Sequence, residues 1–181
     1  MAKRILAGLL VVLFTCAVAM QAQAPAGPPK PGPEHKRLGV FVGKWTGTGE
    51  MKPGPWGPGG KTSWTETCEW FAGGFSVVCH ADLKGPMGNS KGLFILGYNA
   101  DEKLYVYFGI DSAMGSPETS QGTVQGNTWS WAGESKMGGK MVKSKFTIIE
   151  NSKDDFAFRG ESSVDGGDWS VTEEGKYTRA Q

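Results

Sequence analysis

The sequence is short of several things that usually announce a function. Its 181 residues include two histidines, His35 and His80. A haem barrel would have to draw its proximal ligand from these two, so that reading is disfavoured. Charge of neither sign is in excess, with 19 Lys and Arg against 18 Asp and Glu. No basic surplus points to nucleic acid, and no charged block points to an anionic membrane surface. Beyond the N-terminus no apolar run is long enough to span a bilayer, so stable membrane insertion is not expected. There is no Gly-x-Ser-x-Gly elbow. No phosphate-binding glycine motif follows a strand and opens a helix. Cys68, Cys79 and His80 offer too few ligands for a zinc site. No catalytic residue, metal or cofactor is assigned from the residues.

What is present begins with an export signal. Lys3 and Arg4 precede an apolar run from Ile5 to Ala19 and a small-residue ending, Ala22-Gln23-Ala24. This pattern reads as a secretory signal peptide over residues 1–24. The alternative, lipid attachment at Cys16, is disfavoured by Thr15 just before it. The expected location is therefore the periplasm or the exterior. Residues 25–33, rich in proline and glycine, read as an extended spacer. Residues 34–181 read as one domain, with Pro33 to Leu38 suited to a short helix that Leu38, Phe41 and Val42 press onto a core.

The stretch Ser63 to Leu83 carries the clearest fold signal. Two strand-like halves turn about Gly73-Gly74, where glycine supplies the positive φ of a tight hairpin. Counting outward sets Cys68 opposite Cys79. In an oxidising compartment such a pair reads as a structural disulfide. A two-residue turn would make the cysteines a hydrogen-bonded pair, and a four-residue loop from Ala72 to Phe75 a non-hydrogen-bonded one. Further segments alternate with period two and are separated by turn residues. Leu104, Val106, Phe108 and Ile110 line one face, and Val142, Phe146 and Ile148 another, while Trp129 and Trp131 alternate like core residues. About ten short strands with little helix predict an all-β antiparallel up-and-down meander, closed as a barrel or folded as a sandwich. The strand from Glu118 to Val124 is polar on both faces and reads as lumen or seam. The many glycines read as turn chemistry.

Gly43-Lys44-Trp45 after a short helix, Gly97-Tyr98-Asn99, Ile110-Asp111-Ser112 and a closing Tyr177-Thr178-Arg179 occur in that order. Together they resemble the bacterial family Domain of Unknown Function 1579, over roughly Pro33 to Arg179. The resemblance implies a lipocalin-like β-barrel and no established activity. In such barrels an arginine of the last strand packs over the tryptophan of the first, which assigns barrel closure to Trp45 and Arg179. A guanidinium over an indole contributes about 0.5–2 kcal/mol.

Three loops expected at one barrel end carry Met-Gly steps, at Met87, Met114 and Met137, with Trp56 in a fourth loop. Such methionines suit core caps or an adaptable apolar gate. The spacing does not favour Cu(I). Glu66 alternates with Trp64, Cys68 and Trp70. If that face is interior, Glu66 is a desolvated carboxylate with a raised pKa. Asp111 and Glu134 are candidate companions. The candidate ligand-binding set is therefore Trp64, Glu66, Trp70, Phe108, Asp111, Met87, Met114 and Met137. The expected function is a non-catalytic exported barrel binding a small, mostly apolar ligand. The alternatives are an enzyme using Glu66 and Asp111 as acid and base, or an envelope-interaction module with a filled core.

Overall fold

The computed structural model describes residues 27–54 and 57–180. The expected signal segment, Cys16 and Trp56 lie outside the described residues. Helix α1 (Pro33–Arg37) opens with proline, carries Glu34 in its first turn and three basic side chains in its last. That order suits the helix dipole. A 3-10 turn, Leu38–Phe41, continues it. Ten strands follow: β1 (Gly43–Met51), β2 (Gly60–Trp70), β3 (Ser76–Gly85), β4 (Gly88–Asn99), β5 (Leu104–Asp111), β6 (Glu118–Gln125), β7 (Thr128–Met137), β8 (Lys140–Ser152), β9 (Asp155–Val164) and β10 (Ser170–Arg179). Each pairs antiparallel with its sequence neighbours, and β1 pairs with β10, so the barrel is closed. Closure removes every sheet edge.

The first hairpin takes the four-residue loop. The Phe71 amide donates to the Ser76 carbonyl at 2.9 Å, and Gly74 to Phe71 at 3.0 Å. Cys68 and Cys79 are then a non-hydrogen-bonded pair, disulfide-bonded, with Cα atoms 4.0 Å apart. Two of the loops expected around the Met-Gly steps are tight turns. β3 and β4 meet through Pro86-Met87, and β7 and β8 through Gly138-Gly139, because pairing runs out to Gly85↔Gly88 and Met137↔Lys140.

One end of the barrel is filled. Leu38 and Phe41 of the 3-10 turn plug it, with Trp45, Val77, Trp129 and Phe156 each at most 3% exposed around them. The Phe41 ring lies 4.9 Å from Trp129, and Trp45 lies 4.6 Å from Phe156. A carboxylate within this floor has two donors on one of its oxygens. Glu150 accepts from Arg37 and from the Trp129 indole, each at 2.5 Å. The Arg179 guanidinium stands 4.1 Å from the Trp45 ring and donates to Asp154 at 3.0 Å and to the Val42 carbonyl at 2.8 Å. Gly43 makes this possible. Its φ is +136°, and a Cβ there would sit 2.2 Å from Arg179 Nη1.

Candidate ligand-binding lumen

Paired residues in a ladder face the same side, so one known inward residue orients a whole row. Trp45 is in the floor, and its row runs Arg179–Trp45–Glu66–Ala81–Gly92–Asp111. The row above it carries Tyr177, Gly47 and Trp64. Across the barrel the inward positions are Tyr105 and Tyr107 on β5, Glu118, Ser120 and Gly122 on β6, Trp129 and Trp131 on β7, Phe146 and Ile148 on β8, Phe158 on β9 and Glu173 on β10.

Above the floor the wall is aromatic. Trp64 meets Tyr177 at 4.9 Å and Phe158 at 5.4 Å. Phe146 stacks on Phe158 at 5.4 Å and Phe94 on Tyr107 at 5.9 Å. These rings lie against glycines of the inward rows. A Cβ on Gly47 would fall 1.9 Å from the Trp64 ring, on Gly92 2.4 Å from Phe94, on Gly122 2.6 Å from Trp131, and on Gly175 2.6 Å from Phe158. Here the glycines are not turn chemistry. They let large rings lie back over bare backbone, a pairing that also shields glycine in a strand. The inward side chains of this layer are less completely buried than those of the floor. Glu66, Phe94, Tyr107, Phe146 and Tyr177 all face inward, yet all keep partial solvent exposure, unlike the floor residues.

Glu66 sits in this lumen without a protein partner. No described residue donates to it, and burial pushes its pKa from 4.5 to about 7. Glu173 on β10 is raised by burial and by Glu118. Glu118 keeps contact with solvent at the rim, and the enclosing wall and Asp111 raise it. The phenols of Tyr107 and Tyr177 are pushed up, first by burial and then by the surrounding carboxylates, Glu66 and Glu173 among them. The indole Nε1 of Trp64 and the hydroxyl of Thr62 are buried without a partner.

The expected site residues separate into groups. Trp64 and Glu66 are in the lumen. Asp111 is on an inward row at the mouth, but its carboxylate is engaged: Ser90 donates to one oxygen at 2.9 Å and the Ala113 amide to the other at 2.7 Å. It stands three strand spacings from Glu66 along the wall, about 14 Å of arc. Phe108 does not line the lumen. Tyr105 and Tyr107 take the inner face of β5, leaving Val106 and Phe108 outside. Both faces of β5 are apolar, so alternation alone could not choose between them. Trp70 lies at the closed end, 39% exposed, with its ring packed near Gly39 of the 3-10 turn. Of the two tryptophans that alternate with Glu66, only Trp64 shares the lumen with it. Glu134 faces outward, 4.0 Å from Lys143. Met87, Met114 and Met137 are 64, 42 and 37% exposed at the open end. Met87 packs near Gly57. His80 lies on the outer face, and His35 packs on Phe75 and Tyr98 at the closed end.

Sequence reading missed Tyr107, Tyr177 and Glu173. A signal for two of them was present. Once Arg179 is placed over Trp45, period two turns Tyr177 and Glu173 inward as well. No metal set emerges at Glu66. Its carboxylate lies within 4.8 Å of the Cys68 and Cys79 sulfurs, but these are joined as a disulfide and offer no thiolate. Among the described residues no helix is long and apolar enough to cross a membrane.

Known structures share this architecture. The crystal structure of Rv2717c from M. tuberculosis matches with a TM-score of 0.57 at 10% identity, covering 83% of this chain and 99% of that one. The S-type phycobiliprotein lyase CPES from Guillardia theta matches with a TM-score of 0.57 at 12% identity, covering 82% and 93%. These likenesses are to the fold. No curated protein matches the chain. A family model, "Protein of unknown function (DUF1579)", matches residues 30–179, nearly the whole of the domain, and the chain belongs to that family.

Proposed function

We propose that this protein is an exported, non-catalytic carrier that holds a small, mostly apolar ligand in the lumen above its aromatic floor. One observation carries the reading. Large rings lie back on inward glycines, and the inward side chains above the floor keep partial solvent exposure, which suits an aromatic-walled space that admits a guest. A structural module would fill that space, because interiors otherwise pack to crystal-like density. The Cys68–Cys79 disulfide is compatible with export. A lyase of the same fold indicates that this barrel shape tolerates chemistry, but fold does not assign function. An acid–base pair of Glu66 and Asp111 is poorly supported, since Asp111 is engaged by Ser90 and Ala113.

Native mass spectrometry of protein purified from its source envelope tests this. The expected result is a chain beginning at Pro25 with a retained small molecule, or stoichiometric binding of the neutral fluorophore N-phenyl-1-naphthylamine by the stripped protein. Absence of both a retained molecule and saturable binding would sink the proposal.

A further inference from the structure

Acidic groups converge on the lumen, and among the described residues no cation accompanies them there. On the described inward rows, Glu66, Asp111, Glu118 and Glu173 face the space above the floor. The basic side chains on those rows lie at the two ends. Arg179 is below, over Trp45 and bound to Asp154 and backbone carbonyls, and Lys140 is at an exposed hairpin tip. Glu66 and Glu173 have no hydrogen-bond donor among the described residues, although buried carboxylates are normally paired. Separately from the acids, Trp64 Nε1 and Thr62 Oγ1 are buried and unpaired in the same wall. Unpaired oxygen acceptors are thus left on β2 and β10, around faces of Trp64, Phe94 and Tyr107 that present negative π density.

We propose that the ligand of this lumen is a protonated organic amine with an apolar body, its ammonium facing Glu66 and Glu173 and its body lying against the aromatic wall. The inference rests on the binding reading above and narrows it to one ligand class. A neutral apolar molecule would leave the carboxylates desolvated and unpaired, and an anion would add repulsion. A cation relieves both and gains cation–π contacts with the surrounding rings. The mutual raising of Glu118 by Asp111 and of Glu173 by Glu118 is the repulsion that such a guest removes. Glu66 loses its proton when the ammonium binds below neutral pH. The titratable groups around it are Tyr107, Tyr177, Glu173, Glu118 and Asp111, all acids, so no facing base can supply the charge in the guest's place.

Isothermal titration of the disulfide-intact protein at pH 8 tests this. The probes share hexyl, phenethyl and naphthylmethyl bodies, each as amine, alcohol and carboxylate, with calcium chloride as a separate arm. The amine of each body is expected to bind at least about tenfold tighter than its alcohol, and the carboxylate weakest. In Glu66→Gln/Glu173→Gln, checked for a native melting transition, the amine-to-alcohol ratio should fall toward one. In the natural protein that ratio should fall as pH drops from 8 to 5. Equal binding of amines and alcohols would overturn the cation inference and leave the apolar carrier standing. Calcium binding that excludes the amines would reassign the acids to a metal and overturn it. No binding by any body would overturn both readings.

Discussion

In the floor of the barrel, Glu150 accepts from Arg37 and from the Trp129 indole at 2.5 Å each. Midway up the wall, Glu66 accepts from no described residue, and burial alone carries its pKa to about 7. The two carboxylates face the same interior, one in a filled layer and one in an open layer. The floor surrounds Glu150 with fixed donors, and its rings leave no gap: Trp129 is 0% exposed, with Phe41 and Tyr105 within 5 Å of its ring centre. The lumen leaves both its polar groups and its rings unfinished. Satisfied hydrogen bonds and buried rings favour stability at the closed end, and the proposed ligand would use the layer where they are incomplete.

Four experiments would break this contrast. Trp129→Ala should cost about 3–5 kcal/mol by chemical denaturation, whereas Phe94→Ala, from the open layer, should cost less than half as much. Equal costs would mean that the lumen is as tightly packed as the floor. Removing the disulfide with Cys68→Ala/Cys79→Ala should cost about 3 kcal/mol, set by the short loop it closes. The same denaturation curves would show it, and an unchanged midpoint would reduce the hairpin to scaffold.

Glu66→Gln and Glu150→Gln should move stability in opposite directions. Glu66 binds its proton near pH 7 in the fold and near 4.5 in the unfolded chain. Between those values the unfolded chain holds fewer protons, so natural-protein stability falls as pH rises from 4.5 to 7 and stays low above. Glu66→Gln abolishes that loss. The gain should be absent below pH 4.5 and reach at most ~3 kcal/mol at pH 8. Glu150→Gln should instead lose about 1–3 kcal/mol by weakening its hydrogen bonds to Arg37 and Trp129. A pH-independent effect of Glu66→Gln would show that Glu66 is solvated. Finally, Gly47→Ala should push the Trp64 indole off the wall, costing about 1–3 kcal/mol and reducing N-phenyl-1-naphthylamine binding. Unaltered fluorophore binding would remove Trp64 from the site.

Much of the fold was legible in the chain. Turn residues and period-two runs marked about ten strands, and ten are present among the described residues. Counting from Gly73-Gly74 set Cys68 against Cys79, and both turn lengths that were considered give that same pairing. The site was legible only in part. Trp64 and Glu66 were identifiable because their strand alternates in step with the cysteines. Phe108 and Tyr107 were not separable, since β5 carries large apolar side chains at every position from Leu104 to Phe108. Trp70 shares the parity of Glu66 but lies beyond the plug, and parity says nothing about height along the axis. The strand glycines looked like turn chemistry because a missing Cβ carries no sign of the ring that lies over it.

Local turn chemistry and a two-residue period were enough to determine an antiparallel meander and the pairing of Cys68 with Cys79, with barrel and sandwich both still open. Closure of β1 on β10 decided the rest. It gave each strand an inside, set the Leu38–Phe41 plug at one end, and left Glu66 unpaired in the open layer above it. Those outcomes depend on which strands face one another across the barrel, and no local pattern encodes that distance.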